Sequence, residues 1–179
     1  TPNMTVWRPC DTVETVYAWK HAIENNDGPT SLVFSRQGLP TQGRTEEQFD
    51  NISRGAYVLF ETDENAENIL IATGSEVSLA LESAKVLGAQ GVSVRVISMP
   101  CVEVFEQQDA SYQEQVLPNA IRKRVAIEAA HVDYWRKWVG LDGAVVGMET
   151  FGASAPGGDL YRHFGFTVEN VVDKVKGLG

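Results

Sequence analysis

A basic tract is missing from this sequence, and acidic residues outnumber basic ones by 24 to 15 over 179 residues. The formal net charge is −9 at pH 7. A chain this acidic has no general electrostatic attraction to DNA, RNA or an anionic membrane surface. We therefore expect neutral, cationic or small-molecule partners, and neither a nucleic acid nor a membrane.

Cysteine is also scarce, since Cys10 and Cys101 are the two in the sequence and neither lies in a CxxC pattern. A disulfide framework or a zinc site needs more cysteines, more closely spaced, so we expect buried free thiols in a reducing compartment. No apolar run reaches membrane-spanning length, and the first ten residues, TPNMTVWRPC, lack the features of a signal peptide. These absences predict a soluble, cytoplasmic chain. The missing initiator methionine is consistent with a piece of a longer protein.

The first 37 residues predict one helix and one strand. Asp11 is a candidate N-cap and Glu14 follows three residues later, the pattern of a capping box, which opens a helix extending to Glu24. Its broad apolar face consists of Val13, Val16, Tyr17, Trp19 and Ile23. A turn cluster follows, and residues 30–35 predict a short buried strand that ends just before Arg36. One helix and one strand do not make a domain, so we expect them to belong to a larger α/β sheet.

The rest of the chain divides into a polar segment and a regular one. Residues 38–54 contain Pro40 and Gly43 without an apolar period and predict a linker. From Gly55 onward, predicted strands (56–61, 68–73, 92–98, 124–129, 144–148) alternate with predicted helices (75–87, 109–117, 134–139, 167–176). This alternation favours an α/β fold, a mostly parallel sheet with helices on both faces. We therefore predict a domain tail at 1–37, a linker at 38–54 and a complete domain at 55–179.

Two segments beside predicted strands could bind phosphate. Arg36, in the run Ser35-Arg36-Gln37, follows a strand at the edge where α/β sheets bind ligands, and its planar guanidinium fits a phosphate. The alternative is a surface arginine paired with a carboxylate, and spacing alone favours this alternative over a phosphate site. The turn from Thr73 to Glu76 could also bind phosphate, but a single glycine is weak evidence and Glu76 would repel an anion. We interpret this turn mainly as a helix cap by Ser75, with a vestigial binding site as the alternative.

A third candidate segment follows the strand predicted at 124–129 and contains Glu128, His131 and Asp133, which could perform acid–base chemistry or bind a metal. No nucleophile or second ligand cluster accompanies them, so loop capping and domain packing are favoured. Trp135 and Trp138 lie on one helical turn and predict core or interface anchors.

The remaining candidates are a loop and two histidines. Residues 151–158, FGASAPGG, could clamp a ligand backbone, but such segments are more often simple loops. His21 and His163 each stand alone in a helical context and predict solvent-facing or packing side chains. From these features alone, the chain is an α/β protein of undetermined function.

Read together, the segments resemble bacterial-type transketolases over nearly the whole chain. The stretches that carry the resemblance, in order, are TPNMTVWRPCD, DGPTSLVFSRQGLP, IATGSEVSLA, SVRVISMP, YQEQVLP, RVAIEA, DYWRKWVG, FGASAP and FGFTVENVV. The combination of WRPCD, SRQ and FGASAP is specific, although each is weak alone. The resemblance places the chain at the end of the middle, thiamine-pyrimidine-binding domain and over the whole carboxy-terminal domain.

The resemblance implies a homodimeric enzyme that uses thiamine diphosphate and Mg²⁺. Such enzymes transfer a two-carbon ketol unit from a ketose phosphate to an aldose phosphate in the pentose phosphate pathway. The catalytic, cofactor-binding and metal-binding residues of the family lie upstream, so none is expected here and the fragment itself is predicted to be inactive. Arg36 matches the family's substrate-phosphate ligand. The sequence departs from the family at Gly38, where Asn is frequent, and in the glycine-rich run 153–159.

Three origins of the chain stay open at this point. It could be a piece of a full transketolase, the downstream half of a split transketolase, or a non-catalytic oligomerisation or binding module of the same fold. Related thiamine enzymes share the carboxy-terminal fold but match the SRQ and WRPCD stretches less well. The coding sequence upstream of Thr1 would distinguish these origins.

Overall fold

The computed structural model describes residues 2–179 and contains a small sheet and a large one. The small sheet pairs β1 (Thr5–Trp7) with β2 (Thr30–Leu32) in parallel. Parallel neighbours need a crossover connection, and helix α1 (Thr12–Glu24) provides it. These elements form the amino-terminal unit of the chain.

Helix α1 begins as predicted, with one difference in its cap. The carboxylate of Asp11 accepts a hydrogen bond from the Glu14 backbone N–H at 3.0 Å, which confirms Asp11 as the N-cap. The Glu14 carboxylate, however, accepts from the Cys10 N–H at 2.7 Å, whereas a capping box would use the N–H of Asp11 itself. The difference leaves Glu14 pointing inward, where it is fully buried.

The strand predicted at 30–35 is shorter than expected and is not buried. It ends at Leu32, and both Val33 and Phe34 are 48% exposed. The reason is that the small sheet has two strands, so within residues 2–179 no third strand flanks this end. Three further exposed apolar side chains lie on α1. We call the whole set the apolar face of the amino-terminal unit: Val16, Trp19, Ile23, Val33 and Phe34.

The large sheet has the order β3-β5-β4-β6-β7. Strand β3 is antiparallel to β5, and the other pairs are parallel, which confirms the predicted mostly parallel sheet. The strands are β3 (Tyr57–Glu61), β4 (Asn68–Ala72), β5 (Val94–Ser98), β6 (Lys123–His131) and β7 (Ala144–Met148). Every residue of β4 is buried, as expected for a central strand covered on both faces.

Helices cover both faces of the large sheet. The helices after α1 are α2 (Glu46–Ile52), α3 (Glu76–Ala89), α4 (Val102–Glu106), α5 (Ala110–Val116), α6 (Arg136–Val139), α7 (Gly157–His163) and α8 (Val168–Lys176). Leu70 and Ala72 of β4 pack in one core with α3 and α8. Ile69 and Ile71 of the same strand pack in a second core with α4, α5 and α6. The two cores follow from the alternation of side chains along a strand.

Several short elements were not predicted from the sequence. Strand β1, helices α4 and α7, and helix α2 within the predicted linker each have seven residues or fewer. Helix α2 begins with a capping box in which Thr45 accepts from the Gln48 N–H and Gln48 accepts from the Thr45 N–H. The segment 38–54 is therefore partly ordered by its own hydrogen bonds. Elements this short leave too few periodic positions to be recognised.

A buried ion cluster joins the amino-terminal unit to the large sheet. Arg44 Nη1 lies 2.7 Å from Asp11 Oδ2, and its Nη2 lies 3.6 Å from Glu14 Oε1, with all three side chains fully buried. Arg44 Nε also donates to the Tyr57 hydroxyl at 2.8 Å. Glu14 Oε1 accepts from the hydroxyls of Tyr57 (2.8 Å) and Ser98 (2.6 Å). This Arg44 cluster connects α1, the segment before α2, and strands β3 and β5.

Replacing Arg44 should destabilise the fold strongly. The variant Arg44→Met leaves two buried carboxylates without their cation, which costs about 3–5 kcal/mol of unfolding free energy. Urea denaturation followed by tryptophan fluorescence measures this change. Arg122→Met is the control, because the Arg122–Asp142 pair is exposed and should contribute less than about 1 kcal/mol. Equal losses in the two variants would contradict the assigned role of the cluster.

The cluster should also make stability depend on acid pH through Asp11. Burial alone raises the pKa of Asp11, but hydrogen bonds from Arg44 and from the N–H groups of Gln42 and Glu14 outweigh burial and lower that pKa. A lowered carboxyl pKa contributes stability above the unfolded-state value of about 3.9, and the contribution is lost as pH falls through the folded-state value. We expect Asp11→Asn to be less stable at pH 7 and to lose less stability below about pH 4. Urea denaturation at pH 2–7 tests this, and parallel profiles for both proteins would refute it.

Candidate functional site

The carboxyl edges of the two sheets face each other across Arg8. Arg8 directly follows β1, and its carbonyl oxygen accepts from the Gly74 N–H (3.0 Å) and the Thr73 hydroxyl (3.2 Å), both just beyond β4. Its guanidinium Nε lies 3.0 Å from Glu128 Oε1 on β6.

Arg36 lies on the small-sheet side of the junction. Its side chain is exposed and, among residues 2–179, forms neither a salt bridge nor a side-chain hydrogen bond. The alternative predicted from spacing, an arginine paired with a carboxylate, is therefore not what the structure shows. The guanidinium is available to an external anion.

The turn that carries Arg36 is closed by its neighbours. Ser35 Oγ donates to Gln37 Oε1 at 2.7 Å and accepts from the Gln37 N–H at 3.1 Å. A cavity of about 180 Å³ adjoins the turn and is lined by Ser35, Gln37, Phe34, Leu39 and the start of α1. The SRQ turn thus borders open space at the carboxyl edge of β2, where a small ligand could enter.

The turn from Thr73 to Glu76 differs from its predicted cap. Ser75 occupies the N-cap position of α3 but makes no capping bond, since its backbone is already helical and its hydroxyl donates to Glu76 Oε1 at 2.7 Å. The prediction of a cap by Ser75 was therefore wrong. Backbone bonds close the first turn instead, from the Glu76 N–H to the Thr73 carbonyl and from the Val77 N–H to the Gly74 carbonyl.

Glu76 places a carboxylate at the position where a phosphate would bind. Its side chain is only 4% exposed, and it accepts hydrogen bonds from the Ala129 N–H at 3.2 Å and from the Tyr161 hydroxyl. A helix N-terminus at a strand–helix turn favours an anion, and here the anion belongs to the protein. This arrangement argues against the vestigial binding site considered from the sequence.

Glu128, His131 and Asp133 do not converge. Glu128 is buried and accepts from Trp135 Nε1 at 2.6 Å in addition to its ion pair with Arg8. Burial raises the pKa of Glu128, and this effect exceeds the opposing effects of Arg8 and Trp135. His131 and Asp133 are exposed, and His131 Nδ1 caps the 3₁₀ turn Val132–Trp135 by accepting from the Asp133 N–H at 3.4 Å. Loop capping and domain packing, the favoured interpretation, are confirmed.

The ligand crevice of the large sheet is filled by the chain itself. Strand β4 pairs with both β5 and β6, so the topological switch point, where α/β sheets bind ligands, lies at its carboxyl end. Arg8 occupies this point through the contacts described above and also donates its N–H to the Pro100 carbonyl at 2.8 Å. Sequence reasoning did not single out Arg8, although it lies in the WRPCD stretch.

The glycine-rich loop 151–158 reaches the SRQ turn. Gln37 lines a second cavity, of about 200 Å³, together with Gly152, Ala153, Gly157 and apolar side chains near the end of β7 and on α7. A Cβ atom placed on Gly157 would collide with Gln37 Nε2. Two segments that the sequence analysis treated separately are therefore in contact.

The remaining candidates are packing or solvent-facing residues. Trp135 is fully buried, and Trp138 packs on Phe105 with ring centroids 5.5 Å apart, which confirms both as core anchors. His21 packs against Trp7 with ring centroids 5.3 Å apart, and His163 is exposed. Cys10 and Cys101 are buried free thiols, as predicted.

Within residues 2–179, no three potential metal ligands lie together and no helix is long and apolar enough to cross a membrane.

Two family models match this chain. The transketolase-like TK C-terminal domain matches residues 55–167, and the transketolase pyrimidine-binding domain matches residues 1–42. Among curated relatives, transketolase 1 of Escherichia coli K12 is 57% identical over 178 residues, which cover 99% of this chain and 27% of that protein. The chain thus spans about a quarter of the length of the curated relatives that it matches.

Solved structures agree with the sequence comparisons. Transketolase from Leishmania mexicana superposes with a TM-score of 0.91 at 41% identity and covers 99% of this chain and 25% of that one. Transketolase from Pichia stipitis, solved with sedoheptulose-7-phosphate, gives 0.90 at 36% identity with the same coverages. With its large sheet matched by the family's carboxy-terminal domain and its amino-terminal unit by the pyrimidine-binding domain, this chain belongs to the transketolase family.

Proposed function

We propose that this chain is the carboxy-terminal part of a transketolase. The proposed activity is the thiamine-diphosphate-dependent transfer of a two-carbon ketol unit from a ketose phosphate to an aldose phosphate, in the cytoplasmic pentose phosphate pathway. The observation that carries the proposal is 57% identity to a transketolase across nearly the whole chain. We further propose that the full-length protein is a homodimer that uses Mg²⁺, and that the chain divides at 1–37, 38–54 and 55–179.

Arg36 is the proposed ligand of the substrate phosphate. Its support is an exposed guanidinium that forms no salt bridge within residues 2–179, at the carboxyl edge of a parallel strand where ligands bind. A planar fork of N–H donors can form two parallel hydrogen bonds to phosphate. Since the related Pichia stipitis enzyme was solved with a sugar phosphate, sugar phosphates are the proposed substrates.

The cofactor does not fit the residues of this chain. Thiamine diphosphate supplies the carbanion chemistry when it is bound. The strand–helix turn that could bind a diphosphate here already contains the Glu76 carboxylate, and residues 2–179 contain no cluster of metal ligands. We therefore assign cofactor and Mg²⁺ binding to the part of the full-length protein that precedes this chain.

The apolar face of the amino-terminal unit fits the same assignment. Trp19 stacks on Phe34 with ring centroids 6.5 Å apart, yet both are about half exposed. A contiguous exposed apolar surface marks a place where other protein packs. We propose that the rest of the pyrimidine-binding domain covers this face in the full-length enzyme.

The isolated chain should not bind thiamine diphosphate specifically. Calorimetric titration of residues 1–179 with thiamine diphosphate and Mg²⁺ should give no saturable binding, because the assigned ligands are upstream. The full-length enzyme serves as the positive control, and circular dichroism verifies that the isolated chain is folded. Saturable micromolar binding by the folded chain would refute this assignment.

Replacing Arg36 in the full-length enzyme should impair phosphorylated donors selectively. A charged hydrogen-bonded contact to phosphate is worth roughly 1.5–3 kcal/mol, so Arg36→Ala should raise KM for a ketose phosphate by about ten- to a hundredfold. Hydroxypyruvate has no phosphate, and its KM should stay nearly unchanged. Steady-state kinetics with both donors makes the comparison.

The matched control is Arg122→Ala. Arg122 is also exposed, but it immediately precedes β6, at the amino end of that strand and away from the carboxyl edge. We expect normal kinetics with both donors. If Arg36→Ala weakens both donors equally, Arg36 supports the fold or the cofactor site instead of the substrate phosphate.

A further inference from the structure

The side chain of Gln37 is bonded back onto its own turn. Its carbonyl oxygen accepts from the Ser35 hydroxyl, whose oxygen in turn accepts from the Gln37 N–H. Arg36 lies between these two residues, so the Ser35–Gln37 bonds hold the turn that carries the guanidinium. Any contact that restrains the Gln37 carboxamide therefore also restrains the turn from which Arg36 extends.

Gly157 supplies such a contact from the far end of the chain. The amide nitrogen of Gln37 lies against Gly157, where a Cβ atom would collide with it, and the Gln37 Cδ and Cγ atoms would lie 3.4 and 3.7 Å from that Cβ. The three nearest atoms all belong to Gln37. Because position 157 has no side chain, the Gln37 carboxamide can lie directly against the backbone of the large-sheet domain.

The backbone gives no other reason for glycine at this position. Gly157 is the first residue of α7 and has a φ outside the left-handed region, so an L-residue could adopt its conformation. A Cβ atom on Gly158, the next residue, would meet only Arg162 Nη1, at the ordinary contact distance of 3.9 Å. Of the two adjacent glycines, Gly157 alone would place a Cβ atom against Gln37.

We propose that Gly157 and Gln37 form an interdomain contact that positions Arg36 for the substrate phosphate. Gln37 is then a positioning residue, and the carboxy-terminal domain takes part in substrate recognition without touching the substrate. The proposal rests on the proposed role of Arg36. It also gives Gly157, within the glycine-rich loop 151–158, a function as the contact point for the SRQ turn.

The test uses the full-length enzyme and the variant Gly157→Ala. The new methyl group meets the far end of a flexible side chain, so the fold should survive while Gln37 is displaced. We expect KM for a ketose phosphate to rise about three- to tenfold, less than for Arg36→Ala because the arginine is moved and not removed. The KM for hydroxypyruvate and the thermal midpoint should remain unchanged. Gly158→Ala is the matched control and should behave as wild type.

A double-mutant cycle isolates the contact. Gln37→Ala should itself raise KM for the ketose phosphate, since it removes the bond to Ser35. In that background Gly157→Ala should have no further effect, because its collision partner is gone. Additive effects of the two substitutions would overturn the proposal.

The outcomes separate the two proposals from each other. If Arg36→Ala shows no preference between donors, the phosphate role of Arg36 fails. If Arg36→Ala is selective but Gly157→Ala matches Gly158→Ala, the positioning role of Gln37 fails alone. Equal losses with both donors in Gly157→Ala, or a lowered thermal midpoint, would show a purely structural contact and also overturn it.

Discussion

The structure depends on one buried arginine. Arg44 forms ion pairs with both Asp11 and Glu14 in a place without solvent contact for any of the three side chains. Burying charges costs several kcal/mol per ion, so such a cluster is weak evidence for net stability but strong evidence that its geometry must be complete. Because its members come from α1, from the segment before α2 and from two strands of the large sheet, one relative placement of the two units satisfies all of them.

That placement explains why the carboxyl edge of the large sheet is filled by protein side chains while the carboxyl edge of the small sheet stays open. Asp11 caps α1 within the Arg44 cluster, and Arg8 lies only three residues earlier, so the cluster also brings Arg8 onto the switch point of the large sheet. There Glu76 and Glu128 supply buried carboxylates, and the crevice is closed. The small sheet's edge keeps an exposed arginine. The proposed substrate contact therefore belongs to the amino-terminal unit and not to the large sheet.

The errors of sequence interpretation have common causes. The strand predicted at 30–35 ends at Leu32, because an apolar run predicts a buried strand only when neighbouring strands exist to cover it. The predicted cap by Ser75 failed because the backbone of Ser75 is already helical, whereas an N-cap residue is normally extended. Its hydroxyl donates to Glu76 and does not accept from an N–H of α3. For Arg36, sequence spacing favoured the non-functional alternative. Spacing alone favoured a paired surface arginine, and only the tertiary structure shows that no carboxylate of residues 2–179 pairs with it.

By itself, the sequence determined the parts of this protein that rest on local interactions. The alternating strands and helices of the large sheet and the N-cap at Asp11 involve residues within a few positions of each other, and such contacts leave a periodic or short-range pattern. Tertiary structure decided the rest: Arg44 meets Asp11 across 33 positions, Glu76 meets Ala129 across 53, and Thr73 meets Arg8 across 65. A pairing between distant residues depends on where the backbone carries them, and no spacing in the sequence records that. The buried cluster, the filled crevice and the contact of Gln37 with Gly157 are all of this kind.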